Sequence, residues 1–130
     1  TLGHSGTFNG NPLTMAAGAA VMDEMTPDVY QQMSQLGETL RSKLRAVFDE
    51  LDIPAQVTGV ASLFGIHFTS EEIVDYRSTL SGDKALKGAL STGLLNEGVM
   101  LGGALSKLTT ETEVDTCVDS TRRVIQRVRQ

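Results

Sequence analysis

Apolar residues in the first half of the chain follow helical spacing. They recur every three or four positions from Val29 to Leu51, which predicts a long amphipathic helix ending near Asp52. Thr26 followed by proline is a typical helix start, and Pro54 lies just beyond the predicted end. The charged positions between the apolar ones, Arg41 among them, are expected on the solvent side of this helix.

A shorter helix is predicted before it, from Pro12 to about Met25. Asn11 is a suitable cap, and the fixed φ of Pro12 suits the first helical position. Leucine, methionine, valine and alanine occupy nearly every side of this segment. A helix that is apolar all round is expected to be buried or wedged between larger bodies.

The second half of the chain mixes strand and helix patterns. Residues 56–69 contain β-branched and aromatic residues broken by two glycines, which predicts one bent strand or two consecutive strands. Residues 71–81 are compatible with a loop or a short helix. Asp83 can cap a helix that stops at Gly98, and a short strand is predicted over residues 99–101.

The last predicted helix begins with a capping box. Thr110 and Glu113 have the spacing at which each side chain bonds the other residue's free backbone N–H. Apolar residues, with Cys117 among them, then line one face of this helix. Two helices, a strand region, a helix, a strand and a helix together predict an α+β fold.

Composition narrows the classes of function. The 130 residues suit one domain, and the net charge of −5 disfavours general binding to nucleic acid or an anionic membrane. No apolar run approaches the roughly 20 residues that span a bilayer. A single cysteine fits a reducing compartment, so we expect a cytoplasmic protein.

The side chains most often used in catalysis are sparse. His4, His67 and Cys117 are single residues far apart, without the clustered spacing of a zinc site, so no metal is expected. Spacing leaves open a nucleophilic pair of Cys117 with a histidine. The position of Cys117 on an apolar helix face instead favours inert packing.

The glycine-rich start of the chain is the most informative segment. Ser5, Gly6 and Thr7 lie in a loop of small residues, whose backbone N–H groups and hydroxyls can hold a phosphate without a basic side chain. The same residues also make ordinary turns and helix caps. Composition alone leaves both interpretations open.

Residues 6–18, read as the string GTFNGNPLTMAAG, resemble a segment of the class III pyridoxal-phosphate-dependent aminotransferases. The most similar branch is that of the glutamate-1-semialdehyde 2,1-aminomutases. Residues 60–68 (VASLFGIHF), residues 95–99 (LNEGV) and the closing Thr-x-x-Glu helix also resemble family segments in the same order. The resemblance covers essentially the whole chain and corresponds to the C-terminal portion of such an enzyme.

This resemblance implies a small antiparallel sheet packed against helices, as in the C-terminal domain of fold-type I enzymes. It also implies that Gly6 and Thr7, with Ser5 as a weaker neighbour, bind the cofactor phosphate held by a partner subunit. The family's cofactor-binding lysine and its acidic partner lie upstream of this loop. None of the four lysines of this chain, Lys43, Lys84, Lys87 and Lys107, has a matching context.

We therefore expect a single C-terminal aminotransferase-like domain over residues 1–130, which binds no cofactor and catalyses no reaction alone. Residues 1–25 would pack on an absent cofactor domain, and residues 26–130 would form the small α+β domain. The glycine-rich start without methionine favours a fragment, a processed piece or one domain of a larger protein.

Two departures from the family and two alternative interpretations remain open. Residues 102–107 replace a longer family loop that helps enclose substrate, and Thr109 stands where the aminomutase branch commonly has histidine. The chain could instead be a free-standing, non-catalytic module that self-associates through its apolar helices. A complete small enzyme using Cys117 or His67 is the third possibility.

Overall fold

The computed structural model describes residues 6–129, and that range contains four α-helices and a two-stranded antiparallel sheet. The elements in chain order are α1 (Pro12–Glu24), α2 (Pro27–Glu50), β1 (Gln56–Thr58), β2 (Gly65–His67), a 3-10 turn (Ser78–Ser81), α3 (Lys84–Asn96) and α4 (Glu111–Val128). In the sheet, Val57 pairs with Ile66. The predicted α+β class is confirmed, and residues 56–69 form two strands rather than one.

The core lies where α2, α3 and α4 pack together under the β-hairpin. Leu40, Leu44 and Phe48 from α2 are fully buried there, and Phe48 meets Phe68 edge to face at 5.5 Å between ring centres. A Cβ placed on Gly93 of α3 would come within 2.4 Å of the Val124 side chain on α4. The third and fourth helices therefore approach each other closely because position 93 has no side chain.

The predicted caps are present at each helix start. Asn11 accepts hydrogen bonds from the N–H groups of Leu13 and Thr14, and Thr26 and Asp83 cap α2 and α3 in the same manner. At α4, Thr110 and Glu113 form the full reciprocal capping box. The sequence signals for helix starts are thus local and sufficient.

The strand predicted over residues 99–101 does not form. The N–H of Val99 bonds to the carbonyl of Leu94, and that of Gly98 bonds to Leu95, so this backbone closes the end of α3 instead. Strand-like pairing begins later, where Leu63 forms an isolated bridge with Ala104. The prediction was wrong because the helix end takes the N–H of Val99, the first residue of the predicted strand.

Helix α1 stands apart from this core. All of its residues are exposed within the described chain, and its last turn reaches the rest of the molecule through an ion pair between Glu24 and Lys107. Its expected packing on another domain stays a prediction. None of the helices within residues 6–129 combines the length and the apolar character needed to cross a membrane.

Candidate functional site

The loop before α1 is built from two consecutive turns. The N–H of Asn9 bonds to the carbonyl of Gly6, and the N–H of Asn11 bonds to that of Phe8, each at 3.1 Å. Gly10, between them, has a φ of +75°, a conformation that glycine adopts without strain. These turns present the exposed residues 6–10 at the N-terminal end of the helix.

Thr7 has free hydrogen-bonding groups on both its side chain and its backbone. Its hydroxyl and its backbone N–H make no hydrogen bond to any other described residue, and the side chain is exposed. A Cβ on Gly6 would meet the Asn9 amide oxygen at 2.8 Å, so the loop closes tightly at a position without a side chain. Ser5, the third predicted site residue, lies outside the described residues.

The loop suits a phosphate group in its donor chemistry. A phosphate oxygen accepts hydrogen bonds, and Thr7 offers two unused donors near the positive end of a helix dipole. Asn11 already occupies the N–H groups of Leu13 and Thr14. The helix terminus would therefore contribute mainly its dipole, and Thr7 the direct contacts.

The lysines of the chain do not resemble an amine nucleophile. Lys43 pairs with Asp115, and that hydrogen bond raises the pKa of its ammonium, whereas a lysine that forms a Schiff base needs a lowered pKa. Lys107 pairs with Glu24, and Lys84 and Lys87 lie in the first turn of α3. The described residues thus offer donors that suit the phosphate end of the cofactor, and its aldehyde end has no partner identified among them.

His67 and Cys117 are separate structural groups. The His67 ring nitrogen Nε2 lies 3.1 Å from the Thr58 hydroxyl across the hairpin, and burial together with the charge of Lys87 lowers the pKa of the imidazole. Cys117 is buried in α4, where burial raises the pKa of its thiol. Among residues 6–129, no three histidine, cysteine or acidic side chains gather as a metal site would require.

The position of Arg41 differs from the one that the sequence predicted. It is only 4% exposed, and its guanidinium donates to the carbonyls of Ala61 and Leu63 at 2.7 and 2.8 Å and to the Glu38 carboxylate at 2.8 Å. Gly37, one turn earlier, lets the Ala61 carbonyl approach α2: a Cβ there would lie 2.0 Å from that oxygen. A glycine inside an amphipathic helix was the available signal for this close approach.

Comparison with known proteins assigns the chain to a protein family. The profile of the family described as aminotransferase class-III matches residues 1–120. The chain therefore belongs to the class III aminotransferase family, as the resemblance of residues 6–18 predicted.

Among curated proteins, the chain is similar to glutamate-1-semialdehyde 2,1-aminomutases. It is 38% identical over 97 residues to that of Methanothermobacter thermautotrophicus, a match covering 75% of this chain and 23% of the relative. It is 31% identical over 129 residues to that of a Hydrogenobaculum species, covering 93% of this chain and 30% of the relative. The chain thus spans less than a third of the curated relatives that it matches.

Solved structures give the same family and two kinds of activity. An omega-transaminase from Sphaerobacter thermophilus superposes with a TM-score of 0.87 at 34% identity, over 99% of this chain and 31% of that one. A glutamate-1-semialdehyde aminomutase from Pseudomonas aeruginosa, solved in complex with PMP, gives 0.81 at 27% identity, over 97% of this chain and 30% of that one. The fold of this chain is therefore that of one part, about 30%, of these PLP-dependent transaminase structures.

Proposed function

We propose that this chain is the part of a PLP-dependent class III aminotransferase or aminomutase that supplies a cofactor-phosphate loop and a subunit surface. The supporting observation is the exposed Thr7, with two unused donors at the N-terminal end of an exposed helix. The chain lacks a suitable lysine among its described residues, so we propose that it is inactive alone.

When bound, pyridoxal phosphate supplies an aldehyde that accepts an amino group and a ring that withdraws electrons. This chain's contribution is to hold the phosphate: the Thr7 hydroxyl and N–H donate to its oxygens, and Gly6 leaves room for the backbone to approach. Hydrogen bonds to a charged acceptor contribute about 1.5–3 kcal/mol each. A neutral loop of this kind adds affinity and orientation without adding positive charge.

The length of α1 supports the proposal that Thr7 binds the phosphate of a cofactor held by a partner subunit. Its 13 residues extend about 20 Å at 1.5 Å per residue. Thr7 precedes the first turn, whereas Glu24 in the last turn contacts Lys107 of the small domain. Thr7 thus reaches outward from its own small domain, which favours a site built largely by other parts of an assembly.

The apolar surface of α1 supports docking on the cofactor domain. Leu13, Met15, Val21 and Met22 are all more than half exposed. Burying an apolar side chain stabilises a complex by about 1.5–3 kcal/mol, so covering these four would contribute roughly 4–8 kcal/mol at their present exposure. Four large, exposed apolar side chains on one helix are typical of an interface.

The phosphate role is tested in the PLP-bound enzyme that contains this chain. The sequence of the messenger RNA around the codon for Thr1 identifies that enzyme. We expect Thr7→Val to raise the Kd for pyridoxal phosphate about tenfold or more and Thr7→Ser to retain binding. Thr14→Val, which changes an exposed threonine inside α1, is the matched control. Equal cofactor retention by Thr7→Val and Thr14→Val would show the phosphate role to be wrong.

The inactivity of the isolated chain has its own test. The purified chain is mixed with pyridoxal phosphate, reduced with borohydride and analysed by peptide mass spectrometry. We expect no stoichiometric adduct on a single lysine. Such an adduct would overturn this part of the proposal, and a transcript that starts at this loop would favour the self-associating module, whose exposed α1 predicts oligomers in sedimentation.

A further inference from the structure

The turn before α1 contains an asparagine that is followed directly by a glycine. Asn9 and Gly10 are the two central residues of the turn that the N–H of Asn11 closes, and both are exposed. The φ of Gly10 is +75°, and glycine adopts this conformation without strain. This pair has a chemistry of its own, because the side-chain amide of Asn9 lies within one residue of a backbone nitrogen that can attack it.

The backbone nitrogen of Gly10 is open to reaction. Its N–H makes no hydrogen bond to any other described residue, and a Cβ placed on Gly10 would meet no atom within 4 Å. Helix α1 begins two residues later, and the partial positive charge of its N-terminal end favours the anion that remains when this nitrogen loses its proton. The nitrogen is thus both accessible and placed where its reactive form is stabilised.

The other two asparagines of the chain lack these features. Asn11 is followed by a proline, whose nitrogen carries no hydrogen that could be lost. Asn96 ends α3, and the N–H of the next residue, Glu97, is already bonded to two carbonyls of that helix. The same chain therefore contains two internal controls for the chemistry of Asn9.

We propose that Asn9 is a deamidation site and that its conversion to a carboxylate weakens the binding of a phosphate by this loop. The deprotonated nitrogen of Gly10 attacks Cγ of Asn9, and a C–N bond forms. The side-chain nitrogen takes up a proton and leaves as ammonia, which gives a cyclic imide. Water then adds to one of the two imide carbonyls and breaks a C–N bond, so the product is aspartate or isoaspartate. Water is the only co-reactant.

The new carboxylate would lie inside the candidate phosphate loop. A Cβ on Gly6 would meet Oδ1 of Asn9 at 2.8 Å, so this side chain lies against Gly6, the residue next to Thr7. A phosphate bound there would face a negative charge in place of a neutral amide, and like charges repel. The sequence contains no lysine, arginine or histidine between residues 5 and 40, so no cation of this segment offsets the added charge.

The chemical step at Asn9 is independent of the proposed function, whereas its consequence for the cofactor rests on that function. An exposed turn opens locally at low cost, so the attack needs no unfolding of the core. A phosphate held by the loop would oppose that opening, because it binds the closed form in preference to the open one. Deamidation should therefore be faster in the chain without cofactor than in the PLP-bound enzyme.

The chemical step is tested on the full chain, incubated at mildly acidic and mildly alkaline pH and followed by peptide mass spectrometry. We expect Asn9 to convert to aspartate and isoaspartate, faster at the higher pH because Gly10 must lose a proton, while Asn11 and Asn96 stay intact. Asn9→Gln should resist conversion, because its longer side chain closes the ring poorly. If Asn9 converts no faster than Asn96, the proposed site is wrong.

The consequence is tested in the PLP-bound enzyme that contains this chain, by the Kd for pyridoxal phosphate. We expect Asn9→Asp to raise this Kd about tenfold, through repulsion between the carboxylate and the phosphate. Thr92→Asp, which adds the same charge at an exposed position of α3, is the matched control and should leave the Kd unchanged.

The contrary outcomes separate this proposal from the proposed function. A wild-type Kd in Asn9→Asp together with a raised Kd in Thr7→Val would overturn the effect of deamidation and leave the phosphate role of the loop standing. A wild-type Kd in both variants would show that the phosphate role itself is wrong. An equal rise in Asn9→Asp and Thr92→Asp would show that net charge, and not the position of Asn9, is responsible.

Discussion

Replacing Gly37 by alanine tests the close contact between α2 and the loop that contains Ala61. In an ordinary helix interior this substitution stabilises by about 1 kcal/mol, because alanine has the higher helix propensity. At position 37 the added Cβ would lie 2.0 Å from the Ala61 carbonyl oxygen and 3.2 Å from Nη1 of Arg41. Backbone at Ala61 must therefore move by more than 1 Å to reach an ordinary carbon–oxygen contact of about 3.3 Å.

The cost of that movement exceeds the gain in propensity. Overpacking a well-packed site costs about 1–3 kcal/mol. Displacing Ala61 also weakens the Arg41 bonds at 2.7 and 2.8 Å, and hydrogen bonds that involve a charged group contribute about 1.5–3 kcal/mol each. After subtracting the helix-propensity gain, we expect the free energy of unfolding to fall by about 2 kcal/mol or more.

Urea unfolding of the full chain measures this free energy, with Gly88→Ala as the matched control. Gly88 is also inside a helix, and a Cβ there would meet no atom within 4 Å, so alanine should stabilise by about 1 kcal/mol. Hydrogen exchange at the Phe64 and Leu105 amides should accelerate in Gly37→Ala alone. Equal stabilisation by the two substitutions would refute the close contact.

Two further predictions concern the cap of α4 and the histidine of the hairpin. Thr110→Ala should lower the free energy of unfolding by about 1 kcal/mol, and Thr112→Ala, which leaves the capping box intact, should not; equal urea midpoints would contradict the cap. Burial lowers the pKa of folded His67 below its ordinary value of 6.5, so the unfolded chain takes up this proton first as pH falls. Its contribution to stability should therefore be complete above about pH 6.5 and decline below it, and an unchanged pH slope in His67→Asn would show that another group is responsible.

Elements governed by local chemistry were predictable from the sequence, and elements governed by long-range contacts were not. Caps such as Asn11 and Thr110 act within three residues, so their patterns sufficed. The pairing of Leu63 with Ala104 joins residues far apart in the chain, and nothing in the local pattern of residues 99–101 indicates it. The prediction for Arg41 was wrong because its charge alone suggested solvent exposure. In the structure its guanidinium is buried and donates to two loop carbonyls, 20 and 22 residues away.

The candidate phosphate loop shows the same division. Residues 6–18 indicated the family through a specific string, and the structure shows Thr7 with unused donors. The role of Gly6 and Thr7 stays a prediction, which the measurement of cofactor binding by Thr7→Val addresses. The pairing of residues 62–64 with residues 103–105 had no motif to reveal it, because these two separate segments meet only after folding.

Because α1 is exposed, the stability of the folded chain depends on which molecules bind to this helix. A helix whose residues are all exposed within the described chain adds little to the folded state by itself. Any molecule that covers it binds the folded form in preference to the unfolded one, and so raises stability by mass action. The unfolding midpoint should then rise with the concentration of that molecule, in proportion to the logarithm of its ratio to Kd once that ratio is large.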